Sequence, residues 1–104
     1  MAVNEAIVGK HYPPLEPYLV GREKVREFAR AVMSNWDIHF DVDQAQSAGY
    51  SDVVAPPTFA VVVQESALRM LLEDPDSGID YSRIVHGDQR FDYSRPIVAG
   101  DLLY

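Results

Sequence analysis

Side chains able to move protons near neutral pH are few in this sequence: His11, His39 and His86. Imidazole titrates close to neutrality, so it is the side chain that general acid–base chemistry uses most often. His39 lies between Ile38 and Phe40. That setting fits either a hydrogen-bonded, half-buried histidine or a proton-transfer group, and the residues alone leave both open. His11 and His86 read as structural. No two of the three stand at the i, i+4 spacing that puts imidazoles on one helix face, and cysteine is absent. Neither a metal centre nor a disulfide or thiolate site is therefore expected. One more polar group stands out: Gln64 falls on the apolar side of a greasy segment. There it is either a satisfied core amide or part of the lining of a ligand tunnel.

The segment that carries Gln64 is the one the rest of the chain is arranged around. V-V-A-P-P-T-F-A-V-V-V-Q-E-S-A-L-R-M-L-L-E spans residues 53–73. Pro56 and Pro57 end an extended run and preset φ for a helix start, where a missing N–H costs least. On a helical projection Glu65, Ser66, Arg69 and Glu73 share a narrow arc with Val62, and apolar residues fill nearly everything else. So wide a stripe predicts a central helix sheathed on most sides. The β-branched run Val61-Val62-Val63 argues for a strand, but the pattern continues well past a strand's length.

Around it, residues 7–17, with Gly9, Pro13, Pro14 and Pro17, read as irregular surface chain, and 18–20 as a short extended piece. G-R-E-K-V-R-E-F-A-R-A-V predicts an amphipathic helix with Val25, Phe28 and Val32 inward and its charges in water. Residues 41–48 predict a short helix capped by Asp41, with Gln44 at the capping-box position and Gly49 ending it. Residues 50–54 lead extended into the central helix, and 74–78 form a loop. Residues 83–93 predict a strand, with Gly87 marking a bulge or a close backbone approach. A turn around Pro96 and Gly100 precedes another strand beginning at Leu102.

At 104 residues the chain is expected to be a single small domain. A hydrophobic share of 47% fits a globular protein. The net charge of −7 argues against nucleic-acid or anionic-membrane partners. No apolar run is long enough to span a bilayer, and the first ten residues show no leader pattern. A cytoplasmic protein is expected. The sequence stops within an apolar run, and two or three strands are too few to cover a long apolar helix. The expectation is that something outside this chain covers the helix, or that the domain is incomplete at its C-terminus.

V-G-K-H-Y, G-R-E-K-V-R-E-F-A-R-A-V, A-G-Y-S-D-V-V-A-P-P-T-F and H-G-D-Q-R-F-x-Y-x-R-P-I-V-A-G-D occur in that order. Together they resemble the MaoC-like, R-specific hydratase/dehydratase branch of the hot-dog fold. They are most similar to the non-catalytic, N-terminal type of subunit in two-component (3R)-hydroxyacyl-ACP dehydratases. The resemblance implies an α+β hot-dog fold over residues 1–104: a curved antiparallel sheet around the central helix, with C-terminal strands missing here. It also implies a homodimer or a heterodimer with a catalytic hot-dog subunit, an acyl-CoA or acyl-ACP substrate, and no cofactor.

Dehydrating a 3-hydroxyacyl thioester needs a base, an acid and hydrogen-bond donors at the thioester oxygen. Catalytic relatives place Asp and His in a G-D-x-N-P-x-H loop, with a Gly N–H at the helix start as oxyanion donor. In the matching loop, residues 33–39, the resemblance puts His39 at the histidine position. Ser34 takes the Asp position, and Asp37 stands where the family has Pro. The glycine position falls on Pro57, which has no N–H, leaving those of Thr58 and Phe59. By the same resemblance Gln64, Gly87 and Gln89 are candidate substrate contacts. Arg90 and Arg95 either meet the phosphate of a carrier or form surface ion pairs. The expectation is a hydro-lyase subunit of fatty-acid metabolism that shapes the acyl pocket while a partner supplies Asp and His. The alternatives are a self-sufficient hydratase using His39 and Asp37, and a non-enzymatic acyl-thioester binding or assembly module.

Overall fold

A computed structural model describes residues 3–104. The first two residues, part of the stretch read for a leader, lie outside the described residues. Strand β1 (Tyr18–Leu19) is followed by helices α1 (Arg22–Ala31), α2 (Val42–Ser47) and α3 (Ala60–Glu73), and by strand β2 (Leu102–Leu103).

Extended segments meet at the C-terminal end of the chain. β1 and β2 pair antiparallel, Tyr18 opposite Leu103 and Leu19 opposite Leu102. Just before β2 the chain bonds to residues 53–55: Ala55 N–H donates to the Ile97 carbonyl at 2.8 Å, and Ala99 N–H to the Val53 carbonyl at 3.0 Å. Residues 97–103 thus stitch the start of the chain to the run that leads into α3. Gly100, at φ +96°, makes the turn this requires, and Asp101 ties it by accepting from Val98 N–H and from Arg95.

α1 forms as its pattern predicts, with Val25 and Ala29 buried and Phe28 half-buried. Val32 departs from the expectation. The helix ends one residue earlier, and Val32 is left 45% exposed. The exit runs through Met33 in the left-handed region at φ 57°, while Ser34 N–H bonds back to the Ala29 carbonyl at 2.9 Å. The outer charges pair locally: Arg26 with Glu23, Lys24 with Glu27 at 3.1 Å, and Arg22 with Asp52 at 2.7 Å. α2 is capped by Asp41 as expected, but the Gln44 side chain does not close a capping box, because the Asp41 N–H donates to the Asp37 carbonyl at 2.8 Å. An Asp41 carboxylate oxygen accepts from Asp43 and Gln44 N–H, and Gly49 at φ +100° ends the helix.

α3 is a helix through its β-branched run, but it is not sheathed. Its anchor is Phe59, fully buried immediately before its first residue and packed edge-to-face on Phe28 (5.5 Å) and Tyr18 (6.5 Å). Val62 and Val63 still touch the main core of Val20, Val25, Val53, Ala55, Phe59 and Ala99. Farther along, no residue of the helix is buried, and Leu68 is 51% exposed. The strand expected over 83–93 accounts for much of this difference. Tyr81–Arg83 is a 3-10 turn, residues 84–93 have no regular structure, and Val85 is 87% exposed. Gln89, Phe91 and Tyr93 do alternate with Asp88, Arg90 and Asp92, but among the described residues no strand lies alongside to offer ladder partners. Gly87 also differs from expectation, since a Cβ there would meet nothing within 4 Å.

The far end of α3 is held from the N-terminal stretch. Asn4 N–H donates to the Ser77 carbonyl at 2.9 Å, and Lys10 and Tyr12 both donate to one Asp74 carboxylate oxygen, at 2.6 and 2.8 Å. Residues 7–17, expected to be irregular, serve as a strap.

Candidate active site

The 3-10 turn Asp37–His39 hangs between α1 and α2 and brings His39 beneath the start of α3. Val54 N–H donates to the Ile38 carbonyl at 2.8 Å. In the opposite sense His39 Nδ1 lies 2.6 Å from the Val54 carbonyl oxygen. A carbonyl only accepts, so Nδ1 carries the proton, and the neutral ring keeps its lone pair on Nε2. His39 is only 4% exposed, and the Trp36 ring stands at a T-shaped 5.5 Å from it.

Among the described residues Nε2 has no hydrogen-bond partner, and no buried side-chain nitrogen or oxygen goes unsatisfied. Nε2 therefore opens on a cleft of about 300 Å³. Trp36, His39, Pro56, Pro57, Tyr93 and Arg95 are among the side chains that line this cleft, and none of its lining residues is Asp or Glu. Across it, the Tyr93 hydroxyl donates to the Pro57 carbonyl at 2.5 Å. Burial raises the Tyr93 phenol above its ordinary pKa, partly offset by the Ala60 N–H, so the hydroxyl keeps its proton at neutral pH.

The predicted site residues do not all gather here. Asp37 is exposed and does not line the cleft. Thr58 is exposed at the helix start. Phe59 serves as the core anchor, and its N–H is engaged by the Pro56 carbonyl at 2.9 Å. Gln64 and Gln89 come together elsewhere, along the flank of α3, in an open groove of about 630 Å³ with Tyr12 and His86. Gly87 is exposed and lines neither. Arg95 reaches the cleft but pairs with Asp101 at 2.9 Å, which holds that carboxyl below its usual range. Tyr93 and Trp36 were not singled out from sequence. The cue available for Tyr93 was an aromatic three residues before Pro96 in an otherwise charged stretch.

A family model described as FAS1-like, dehydratase domain region, matches residues 6–104. The chain belongs to that family. A UPF0336 protein of Leifsonia xyli subsp. xyli is 60% identical over 97% of this chain and 68% of its own length. One of Clavibacter michiganensis subsp. michiganensis is 57% identical over 99% of this chain and 69% of its own. Among solved structures, a C-terminally truncated HadBC (3R-hydroxyacyl-ACP dehydratase) complex from Mycobacterium tuberculosis superposes with a TM-score of 0.76 at 37% identity. That match covers 88% of this chain and 65% of the other. A MaoC-like dehydratase matches with a TM-score of 0.68 and 39% identity, over 88% of this chain and 27% of its own length. The MaoC-like kinship and the α+β hot-dog fold class expected from sequence are those of these neighbours. Among the described residues no helix is long and apolar enough to cross a membrane.

Proposed function

We propose that this chain acts as a subunit of an (R)-specific 3-hydroxyacyl-thioester dehydratase or enoyl hydratase of fatty-acid metabolism. It shapes the acyl pocket, and a partner hot-dog subunit supplies the catalytic Asp–His pair. The observation that carries this is the composition of the cleft: one histidine, an aromatic wall and no carboxylate. Eliminating water requires one group to take the C2 proton and another to protonate the departing C3 hydroxyl. A lone imidazole with Nδ1 tied to a carbonyl offers a single proton-accepting site. No carboxylate stands beside it in this cleft, which supports an Asp–His pair supplied by a partner.

The neighbouring HadBC complex, a 3R-hydroxyacyl-ACP dehydratase, supports a heterodimeric arrangement and an acyl thioester on CoA or a carrier protein. In this reading residues 1–104 belong to one hot-dog domain, incomplete at its C-terminus, working in the cytoplasm, and the Gln64–Gln89 groove receives the acyl chain. Co-expression with catalytic hot-dog subunits, followed by hydration assays on crotonyl and longer enoyl thioesters, tests it. A complex that hydrates enoyl thioesters faster than the catalytic subunit alone is the expected result. No complex and no gain in rate would overturn it. A self-sufficient hydratase would instead lose all turnover of the isolated chain in both His39→Ala and Asp37→Asn.

A further inference from the structure

Removing or adding water across C2 and C3 of an acyl thioester builds negative charge on the thioester oxygen, and that oxygen needs donors aimed at it. The start of α3 is poorly supplied. Pro56 and Pro57 have no N–H, that of Phe59 is taken by the Pro56 carbonyl and that of Ala60 faces the Tyr93 oxygen, which leaves that of Thr58. Directly over this gap stands the Tyr93 hydroxyl, 2.5 Å from the Pro57 carbonyl oxygen and 36 residues away along the chain.

We propose that the Tyr93 O–H is the donor to the substrate's thioester carbonyl, standing in for the backbone N–H that Pro57 lacks. This rests on the dehydratase reading above. At rest the phenol donates to one carbonyl, and in the reaction it swings to another in the same cleft. Exchanging one neutral carbonyl for another gains little in the ground state. As the substrate oxygen becomes enolate-like it turns into a far stronger acceptor than Pro57. The gain is therefore concentrated in the transition state.

In the hydration direction, water oxygen bonds to C3, its proton passes to the partner's base, the C2–C3 π pair becomes the C1–C2 π bond of an enolate, and the C=O π pair shifts onto the thioester oxygen. The oxygen pair re-forms the C=O bond as the C1–C2 π pair takes a proton at C2 from the partner's acid. The Tyr93 proton stays on the phenol throughout. Its raised pKa is compatible with this.

Tyr93→Phe in the complex with a catalytic subunit tests the assignment, with crotonyl-pantetheine as substrate and kcat, KM and thermal midpoint all read. Loss of one oxyanion donor predicts a fall in kcat of about 100-fold or more, with KM and midpoint unchanged. An unchanged kcat would overturn the inference and leave the dehydratase reading standing. So would a fall in kcat matched by a higher KM and a lower midpoint, which identifies the phenol as a tether. A wild-type complex without turnover would remove the dehydratase reading, and this inference with it, before the variant is measured.

Discussion

Truncating Phe59 and Leu68 to alanine, one at a time, probes the way α3 is held. Phe59 is fully buried and meets two aromatic rings edge-to-face. Phe→Ala at such a site costs about 3–5 kcal/mol, the lost transfer free energy plus the cavity left behind. Leu68, two turns and more into the helix, is 51% exposed. Full burial of a leucine is worth about 1.5–3 kcal/mol, so half burial gives roughly 1 kcal/mol. Alanine's better helix propensity returns about 0.2 kcal/mol of that. The two variants should therefore differ at least threefold in cost. Urea unfolding followed by the fluorescence of Trp36, the single tryptophan, reads both. A Leu68→Ala cost equal to that of Phe59→Ala would refute the reasoning, because it would mean that α3 is covered along its whole length in solution.

Three further outcomes follow from the backbone and the strap. Met33 occupies the left-handed region at φ 57°, so Met33→Gly should raise the urea midpoint, worth about 1 kcal/mol; a lower midpoint would contradict it. Gly49 is at φ +100° at the end of α2, and Gly49→Ala should lower stability by about 1–2 kcal/mol in the same assay. The donors from Lys10 and Tyr12 pull the Asp74 carboxyl down to about 2 from its ordinary 3.8. A depressed carboxyl stabilises the fold fully above its unfolded pKa, and that contribution fades as pH falls from about 4 towards 2. Hydrogen exchange at Asn4 N–H, which bonds Ser77, should lose protection over that range, and Asp74→Asn should reproduce the loss at neutral pH. Protection indifferent to both would remove Asp74 as the strap's anchor.

Local rules read this chain well where the decisive residues sit next to each other. Asp41 and Gly49 specified α2 at both ends, and the Pro56-Pro57 pair marked the approach to α3. Reading failed where the outcome depended on distant partners. The apolar residues of α3 announced burial, but burial needs covering segments, and residues 84–93 have no strand beside them among the described residues to pair with. At the site, His39 was legible as a histidine beside apolar residues. Its tie to Val54 was not, because it depends on how residues 53–55 pass the 3-10 turn. Asp37 illustrates the same limit: two residues from His39 in sequence, it lies outside the cleft because the tight turn points the two apart. Tyr93 escaped notice because its partner, the Pro57 carbonyl, is a backbone atom far away in the chain.

As proposed, the cleft at the start of α3 receives an acyl thioester. Amide and indole NMR shifts of this chain, in complex with a catalytic hot-dog subunit and titrated with crotonyl-pantetheine, test it most directly. Saturable shifts are expected at Trp36, His39 and Tyr93, extending to Gln64 and Gln89 as the acyl chain is lengthened. Shifts that leave Trp36, His39 and Tyr93 untouched while the complex binds its ligand would contradict it.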